Sequence, residues 1–250
     1  MWKAPAWVQF FLISFCLTSG ANAAEQTGSE YPLAEHRLFF EEVAFQDNPP
    51  FHGRASKWAT PINLAIINEG LKADRKVTRQ LIDQVAAVTQ HDIRVTDFDD
   101  GKNVLVFLVR SVRDSASSRY RDTYRKFFQS DAAMDSVLRN LRRDQRCLFQ
   151  FGYGAGAVRG GIIFARVGES ETETAACLSF AFLRLMGLQK HRGDQIVSVL
   201  AYPQAGHLTE FDRVALAALY DTRIAVGTRF EEIDDLDAIL KTALSRVLKN

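Results

Sequence analysis

Runs of apolar side chains along the chain predict four β-strands. In the first, Ile62, Leu64 and Ile66 recur at every second position, as on a strand with a buried face. Another run, Val104–Val109, is apolar throughout, which is typical of a strand buried on both faces. The predicted strands span residues 58–67, 93–95, 104–109 and 161–167.

Apolar residues spaced three or four positions apart predict helices between and after these strands. Thr209 followed by Asp212 is a capping-box pattern and marks one helix start. Another helix runs into a turn at Gly187, with its acidic residues first and Arg184 late, as the helix dipole favours. The predicted helices span residues 77–88, 110–146 (as one or two helices), 171–186, 209–219 and 231–248.

Strands that alternate with helices indicate an α/β fold, in which helices pack on a twisted mixed sheet. The length allows one domain with a full core or two small ones, and no internal repeat divides the chain. We expect a single domain over residues 55–230. Residues 24–54 are expected to form a partly ordered lead-in, and residues 231–250 a C-terminal helix packed on the domain.

The first 23 residues have the pattern of a secretory signal peptide. Lys3 is the only charge among them, a short apolar core follows, and residues 21–23 form a small-x-small cleavage site. The apolar core is too short to cross a membrane, so no transmembrane segment is expected after cleavage. We therefore expect a secreted protein, in the periplasm of a Gram-negative bacterium.

Removal of Lys3 would bring the formal net charge of the chain from +1 to zero. Residues 110–146 are locally basic, with ten Lys or Arg against five Asp. Basic residues interleaved with aromatics can indicate polyanion binding. Because acids are interleaved and the mature chain is neutral, a solvated helix face is the better interpretation. No nucleic-acid partner is expected.

Two cysteines, Cys147 and Cys177, remain once Cys16 leaves with the signal peptide. In an oxidising compartment they predict one disulfide, against the alternative of two buried thiols. The glycine-rich segment 152–161 has neither the Walker nor the Rossmann spacing, and a strand follows it. We interpret it as a flexible loop, which could overhang a cleft.

The segment 177–188 has the outline of a zinc-protease active-site helix, an apolar helix that runs into a Gly turn. The HExxHxxGxxH motif needs two His on one helix face, a Glu beside the first, and a third His after the Gly. Counted from Gly187, these positions hold Phe180, Ala181, Arg184 and Lys190. None of them can act as a zinc ligand or general base in that motif, so we expect no zinc hydrolysis and no metal or other cofactor.

Three stretches of the chain resemble a secreted bacterial family, the domain of unknown function 2927. They are Cys177 with the helix that leads into residues 185–188, residues 198–200, and residues 208–227. The likeness spans residues 55–230. It implies a metzincin-like core, a fold of the zincin class, in which the second stretch forms a turn below the site.

The chain departs from the family at the site itself. The family's pattern is Cys-x-x-Glu-Glu-x-x-Gln before the turn, whereas this chain has Phe180, Ala181 and Arg184. A hydrolytic role of those carboxylates therefore does not transfer. If the fold holds, Arg184 projects toward the former substrate cleft. It either forms an ion pair with a nearby Asp or Glu, the simpler interpretation, or binds a ligand carboxylate with both guanidinium nitrogens.

His191 and Ser198 are the remaining candidate residues for the cleft. His191 with Asp194 could contact a metal, but no two of the five His have metal-ligand spacing, and a surface-loop His is the favoured interpretation. A Ser-His-Asp site would need Ser179 or Ser198 near His191, and the chain lacks the GxSxG motif. No residue is therefore assigned a catalytic role.

These patterns favour a non-catalytic pseudoenzyme. Its ligand would be a peptide, protein or small molecule in a vestigial protease cleft lined by Phe180, Arg184, His191 and Ser198. Two alternatives stay open at this point. One is a periplasmic hydrolase with catalytic groups relocated to loops around the cleft, and the other is a structural or assembly component of the cell envelope.

Overall fold

The computed structural model describes residues 29–46, 52–70, 72–96, 101–168, 170–191, 196–201 and 206–249. The signal peptide predicted for residues 1–23 lies outside them. The strands are β1 Ile62–Asn68, β2 Ile93–Val95, β3 Val104–Val109, β4 Cys147–Gly154 and β5 Ala157–Arg166. They form one mixed sheet in the order β2-β1-β3-β5-β4. Four strands run parallel, and β4 runs antiparallel along the edge.

Eight α-helices lie in the described part of the chain. They are α1 Leu33–Ala44, α2 Lys72–Thr89, α3 Val112–Asp114, α4 Arg121–Arg125, α5 Asp131–Arg139, α6 Glu171–Leu185, α7 Glu210–Leu219 and α8 Leu236–Val247. The predicted mixed α/β fold of a single domain is confirmed. No helix of the described residues is long and apolar enough to span a membrane.

The sheet lies between two layers of helices because its central strands are apolar on both faces. All six residues of β3 are buried, as predicted. Val106 and Leu108 face a core shared with α1, α2, α6, α7 and α8. Leu105 and Phe107 face a second core shared with α3, α4 and α5. The candidate site helix α6 and the basic segment therefore lie on opposite faces of the sheet.

The glycine-rich segment 152–161 is not the flexible loop that the sequence predicted. It is the hairpin between β4 and β5. Ala155 and Gly156 form its turn with φ values of 51° and 77°, and the two-residue type I′ turn requires positive φ at both positions. The apolar positions of β4, among them Phe149 and Phe151, mark it as a strand, and the prediction overlooked them because it followed the glycines.

Residues 110–146 form three short helices and one turn of π-helix, Ser115–Arg119, rather than one or two helices. In that turn the Tyr120 amide donates to the Ser115 carbonyl at 2.8 Å, five residues back. The predicted aromatic face packs on the second core through Tyr120, Tyr124, Phe127 and Phe128.

Both ends of the described chain pack on the first core. In the segment predicted as a lead-in, α1 buries Phe39, Phe40 and Val43. The last helix begins at Leu236, after a separate turn of 3₁₀-helix at Phe230–Glu232. The start lies beyond the predicted residue 231 because Asp235 caps the helix, accepting a hydrogen bond from the Ala238 amide at 3.2 Å.

Candidate functional site

Helix α6 ends in a turn that requires glycine. Gly187 has a φ of 104°. The Leu188 amide donates to the Leu183 carbonyl and the Gly187 amide to the Arg184 carbonyl, both at 3.1 Å, which is the Schellman arrangement. A Cβ atom on Gly187 would lie 1.7 Å from the Ser56 carbonyl oxygen. Backbone conformation and close packing therefore both exclude a side chain here.

One face of α6 lies against the edge strand β4. A disulfide joins Cys147 to Cys177, with their Cα atoms 5.5 Å apart, so the predicted pairing is confirmed. One turn further along the helix, the half-buried Phe180 ring lies 5.8 Å from the Phe149 ring. Ala181, at the position of the catalytic Glu, is fully buried. The helix face that carries Phe180 therefore packs against β4.

Arg184 follows on the same helix face, one turn after Phe180. Its Nη1 donates to the Leu188 carbonyl at 3.0 Å and to the Gln189 side-chain oxygen. Among the described residues no carboxylate pairs with it, so they do not supply the ion pair favoured from sequence. Burial lowers the pKa of Arg184, and the nearby Tyr153 opposes this shift. The guanidinium is held by neutral oxygens in a partly desolvated place.

A cavity of about 380 Å³ opens beside the β4–β5 turn, and we call it the turn cavity. Its polar lining includes His52, Arg54, Ser56 and Tyr153. Burial raises the pKa of Tyr153 to about 12, against the effect of Arg184. The phenol therefore stays protonated at neutral pH. Tyr153 links the turn cavity to the charged end of α6.

His191 lies against α1. Only 5% of its side chain is exposed, so the surface-loop interpretation is wrong. Its Nδ1 is 2.8 Å from Glu42 Oε2 but outside hydrogen-bonding geometry, and its ring packs edge-on against Phe39. The segment before it is fixed to the same helix, because the Gln189 amide donates to the Val43 carbonyl at 2.6 Å. The predicted partner Asp194 lies outside the described residues.

Ser198 is fully buried, and it belongs to a hydrogen-bonded cluster around Asp212. Its hydroxyl donates to Asp212 Oδ1 at 2.5 Å. Asp212 Oδ2 accepts from the amides of Val199 and Thr209, both at 3.0 Å, and from the Thr209 hydroxyl at 2.9 Å. Burial raises the pKa of Asp212, and these hydrogen bonds oppose that shift. The cluster includes the predicted capping box of α7, which is confirmed.

Of the four candidate cleft residues, the structure brings Phe180 and Arg184 together on one helix face. His191 and Ser198 contact α1 and α7 instead. Lys190, at the third His position, is exposed. No group of three or more His, Cys, Asp or Glu side chains in the described ranges has the geometry to hold a metal ion.

A family model described as "Protein of unknown function (DUF2927)" matches residues 34–238, which is most of the chain. The chain belongs to this family. The match confirms the family resemblance and extends it to α1 at one end and the start of α8 at the other. Neither a curated protein nor a solved structure matches the chain.

The neighbours of Arg184 and Phe180 in this member of DUF2927 were not predicted from the sequence. Gln189 accepts a hydrogen bond from Arg184, Tyr153 of β4 lies near the same guanidinium, and Phe149 of β4 contacts Phe180. A signal was present, because Cys147, Phe149, Phe151 and Tyr153 occupy every second position and so predict one face of a strand. That face lies along α6.

Proposed function

We propose that this protein is an exported, non-catalytic binding module with a degenerate metzincin-like core. Its ligand would lie along the outer edge of β4, beside the face of α6 that carries Phe180 and Arg184. These two residues stand at the positions of the zincin histidines, and both lie near side chains of β4. That placement supports a cleft inherited from a protease whose chemistry has been lost.

The observation that carries the proposal is that Arg184 has no carboxylate partner within the described part of the chain. Leu188 and Gln189 supply only neutral oxygens to it. A partly desolvated guanidinium with no anion beside it is costly, and a bound carboxylate would offset that cost. Arginine suits this role because its planar fork can bind both oxygens of a carboxylate.

The edge strand favours an extended peptide as the ligand. In the described part of the chain no strand pairs with the outer edge of β4. A peptide can add to such an edge through main-chain hydrogen bonds, while pockets beside the edge select its side chains. The half-buried ring of Phe180 offers an apolar contact, and Arg184 would receive an acidic side chain or a terminal carboxylate.

An array of random peptides with free carboxyl termini, probed with the mature chain, tests this proposal. We expect selection of peptides with a carboxylate at a fixed position, and loss of binding when that carboxylate is amidated. Arg184→Ala should weaken binding of the selected peptides about tenfold or more, since a charge-assisted hydrogen bond is lost. Lys190→Ala is the matched control, because Lys190 is an exposed cation close by in sequence.

Equal binding by the wild-type and Arg184→Ala proteins would overturn the assignment of the site. The non-catalytic assignment has a separate test. We expect no peptide cleavage that a chelator can abolish, and stoichiometric zinc together with such cleavage would contradict it. Export is tested by sequencing the amino terminus of the mature protein, which we expect to begin after residue 23.

A further inference from the structure

A second cavity, of about 590 Å³, lies on the opposite face of the sheet from α6, and we call it the arginine cavity. It is lined by Ser111, Arg113, Asp114, Ser117 and Arg143. Ser111 follows the carboxyl end of β3 after one residue. In α/β folds, ligands bind preferentially in crevices outside the carboxyl ends of parallel strands.

The two arginines of this cavity are exposed and have no ion pair within the described ranges. Residues 110–146 contain ten Lys or Arg, and five of these are paired with carboxylates. Arg142, next to Arg143 in sequence, is paired with Asp144. Among the described residues, neither Arg113 nor Arg143 has such a partner. Two uncompensated guanidinium groups therefore line one concave surface.

The cavity wall is already ordered by its own hydrogen bonds. The Ser111 hydroxyl donates to Asp114 Oδ2 at 2.9 Å and accepts from the Asp114 amide at 3.3 Å. The turn of π-helix follows directly, and such turns occur often at functional sites. Val112 and Ala116 lie among the lining residues in the sequence, and their side chains are buried in the second core. A ligand would therefore meet a largely preformed surface.

We propose that the arginine cavity binds a small phosphorylated polyol, such as a sugar phosphate. Its phosphate lies between Arg113 and Arg143, whose guanidinium groups match the geometry of phosphate oxygens. Its hydroxyl groups bond to Ser117 and to the carboxylate of Asp114. The volume exceeds what a phosphate ion needs and lies in the range of small-molecule sites.

The charge around the cavity argues for a small ligand rather than a polyanion. Asp114 would repel a second negative group, and the mature chain is neutral overall. A long polyanion is normally held by a continuous basic surface. In residues 110–146, most of the other arginines form ion pairs with nearby Asp or Glu side chains. A single phosphate with uncharged hydroxyl groups fits this balance.

Isothermal titration of the mature chain with glucose 6-phosphate, glycerol 3-phosphate and myo-inositol 1-phosphate tests the proposal. We expect saturable binding of at least one of them, weaker binding of inorganic phosphate and none of glucose. Arg113→Ala and Arg143→Ala should each weaken binding about tenfold or more, because each removes charge-assisted hydrogen bonds. Both arginines are exposed, so circular dichroism is expected to show an unchanged fold.

Arg139→Ala is the matched control, since Arg139 is an exposed cation of the same segment without an ion pair among the described residues and outside the cavity lining. It should bind like the wild-type protein. Arg184→Met should do so as well, which separates this site from the peptide site. Absence of binding by all three phosphorylated probes would overturn the proposal. Equal weakening by Arg139→Ala would also overturn it, because it would indicate only non-specific attraction.

Discussion

Two polar clusters, one around Asp212 and one around Arg184, differ in how their charge is balanced. Around Asp212, two hydroxyls and two amides all donate to one buried carboxylate. Around Arg184, one guanidinium nitrogen reaches two neutral oxygens, and no carboxylate of the described residues pairs with it. The first cluster is internally complete, and the second lacks an anion in the part of the chain that the structure describes. We infer that the first stabilises the fold and that the second is kept for a ligand.

This difference corrects the grouping made from sequence, in which Ser198 and Arg184 belonged to one cleft. The Ser198 hydroxyl donates to Asp212 in the first turn of α7 and so helps to hold the start of that helix. Arg184 donates instead to Leu188 and Gln189. Proximity in sequence to the helix–turn segment therefore did not mean shared contacts, because Ser198 and Arg184 belong to different hydrogen-bonded clusters.

The largest expected effect comes from removing the carboxylate at the centre of the complete cluster. Asp212→Ala should lower the free energy of unfolding by about 3–5 kcal/mol, because two buried and two partly buried donors lose their acceptor. Urea unfolding followed by circular dichroism measures this. Asp237→Ala, which breaks only an exposed pair with Arg37, should cost about 1 kcal/mol or less. Similar losses in the two variants would contradict the stabilising role of the Asp212 cluster.

The turn at Gly187, at the end of α6, should be the next most sensitive position. Gly187→Ala should lower the free energy of unfolding by about 2–3 kcal/mol, because it meets an unfavourable φ and the Ser56 carbonyl. Gly227→Ala is the control, since Gly227 also has a positive φ, 84°, but open space around it. The same unfolding experiment should show a smaller loss there, and an equal loss would mean that close packing at Gly187 contributes nothing.

The third prediction concerns Arg184, whose replacement should change stability far less than replacement of Asp212. Arg184→Met should change the free energy of unfolding by less than about 1 kcal/mol in either direction, because it removes a desolvated charge together with its two hydrogen bonds. Binding of selected peptides should nevertheless be lost. Arg223→Met removes an arginine that does pair with a carboxylate, Asp221, and serves as the contrast. A loss of several kcal/mol in Arg184→Met would make Arg184 a structural residue.

The smallest expected effect is on the pH dependence of stability, and it concerns His36. This side chain contacts Glu210 in the first turn of α7. Burial lowers the pKa of His36 below 6.5, against the opposing effect of Glu210, and its Nδ1 has no hydrogen-bond partner among the described residues. The folded state therefore binds fewer protons than the unfolded state, and stability is lost as pH falls below 6.5. Unfolding midpoints between pH 5 and 7 should fall less in His36→Gln than in the wild-type protein, and identical slopes would contradict this prediction.

The regular parts of the fold could be predicted because their signals are local. A continuous apolar run was sufficient to predict β3, and the Thr209–Asp212 capping pattern was sufficient to predict the start of α7. The hairpin strand β4 was overlooked because its glycines outweighed an alternating pattern. The broken helices after β3 were overlooked because a π-turn has no clear sequence signal.

The candidate site was predictable only in part. Spacing alone placed Phe180 and Arg184 on one helix face, four residues apart. It could not show that Gln189 replaces an acidic partner, because that contact depends on how the turn at Gly187 brings the chain back. Nor could it show that Ser198 is buried, since its partner Asp212 lies fourteen residues away.

The cross-link between Cys147 and Cys177 has a further consequence for recognition. It joins the two walls of the proposed peptide site covalently, at the end opposite Arg184. A peptide that bridges both walls would not have to immobilise them against each other. The entropy lost on association would then fall mainly on the peptide, so that short sequences could bind with useful affinity.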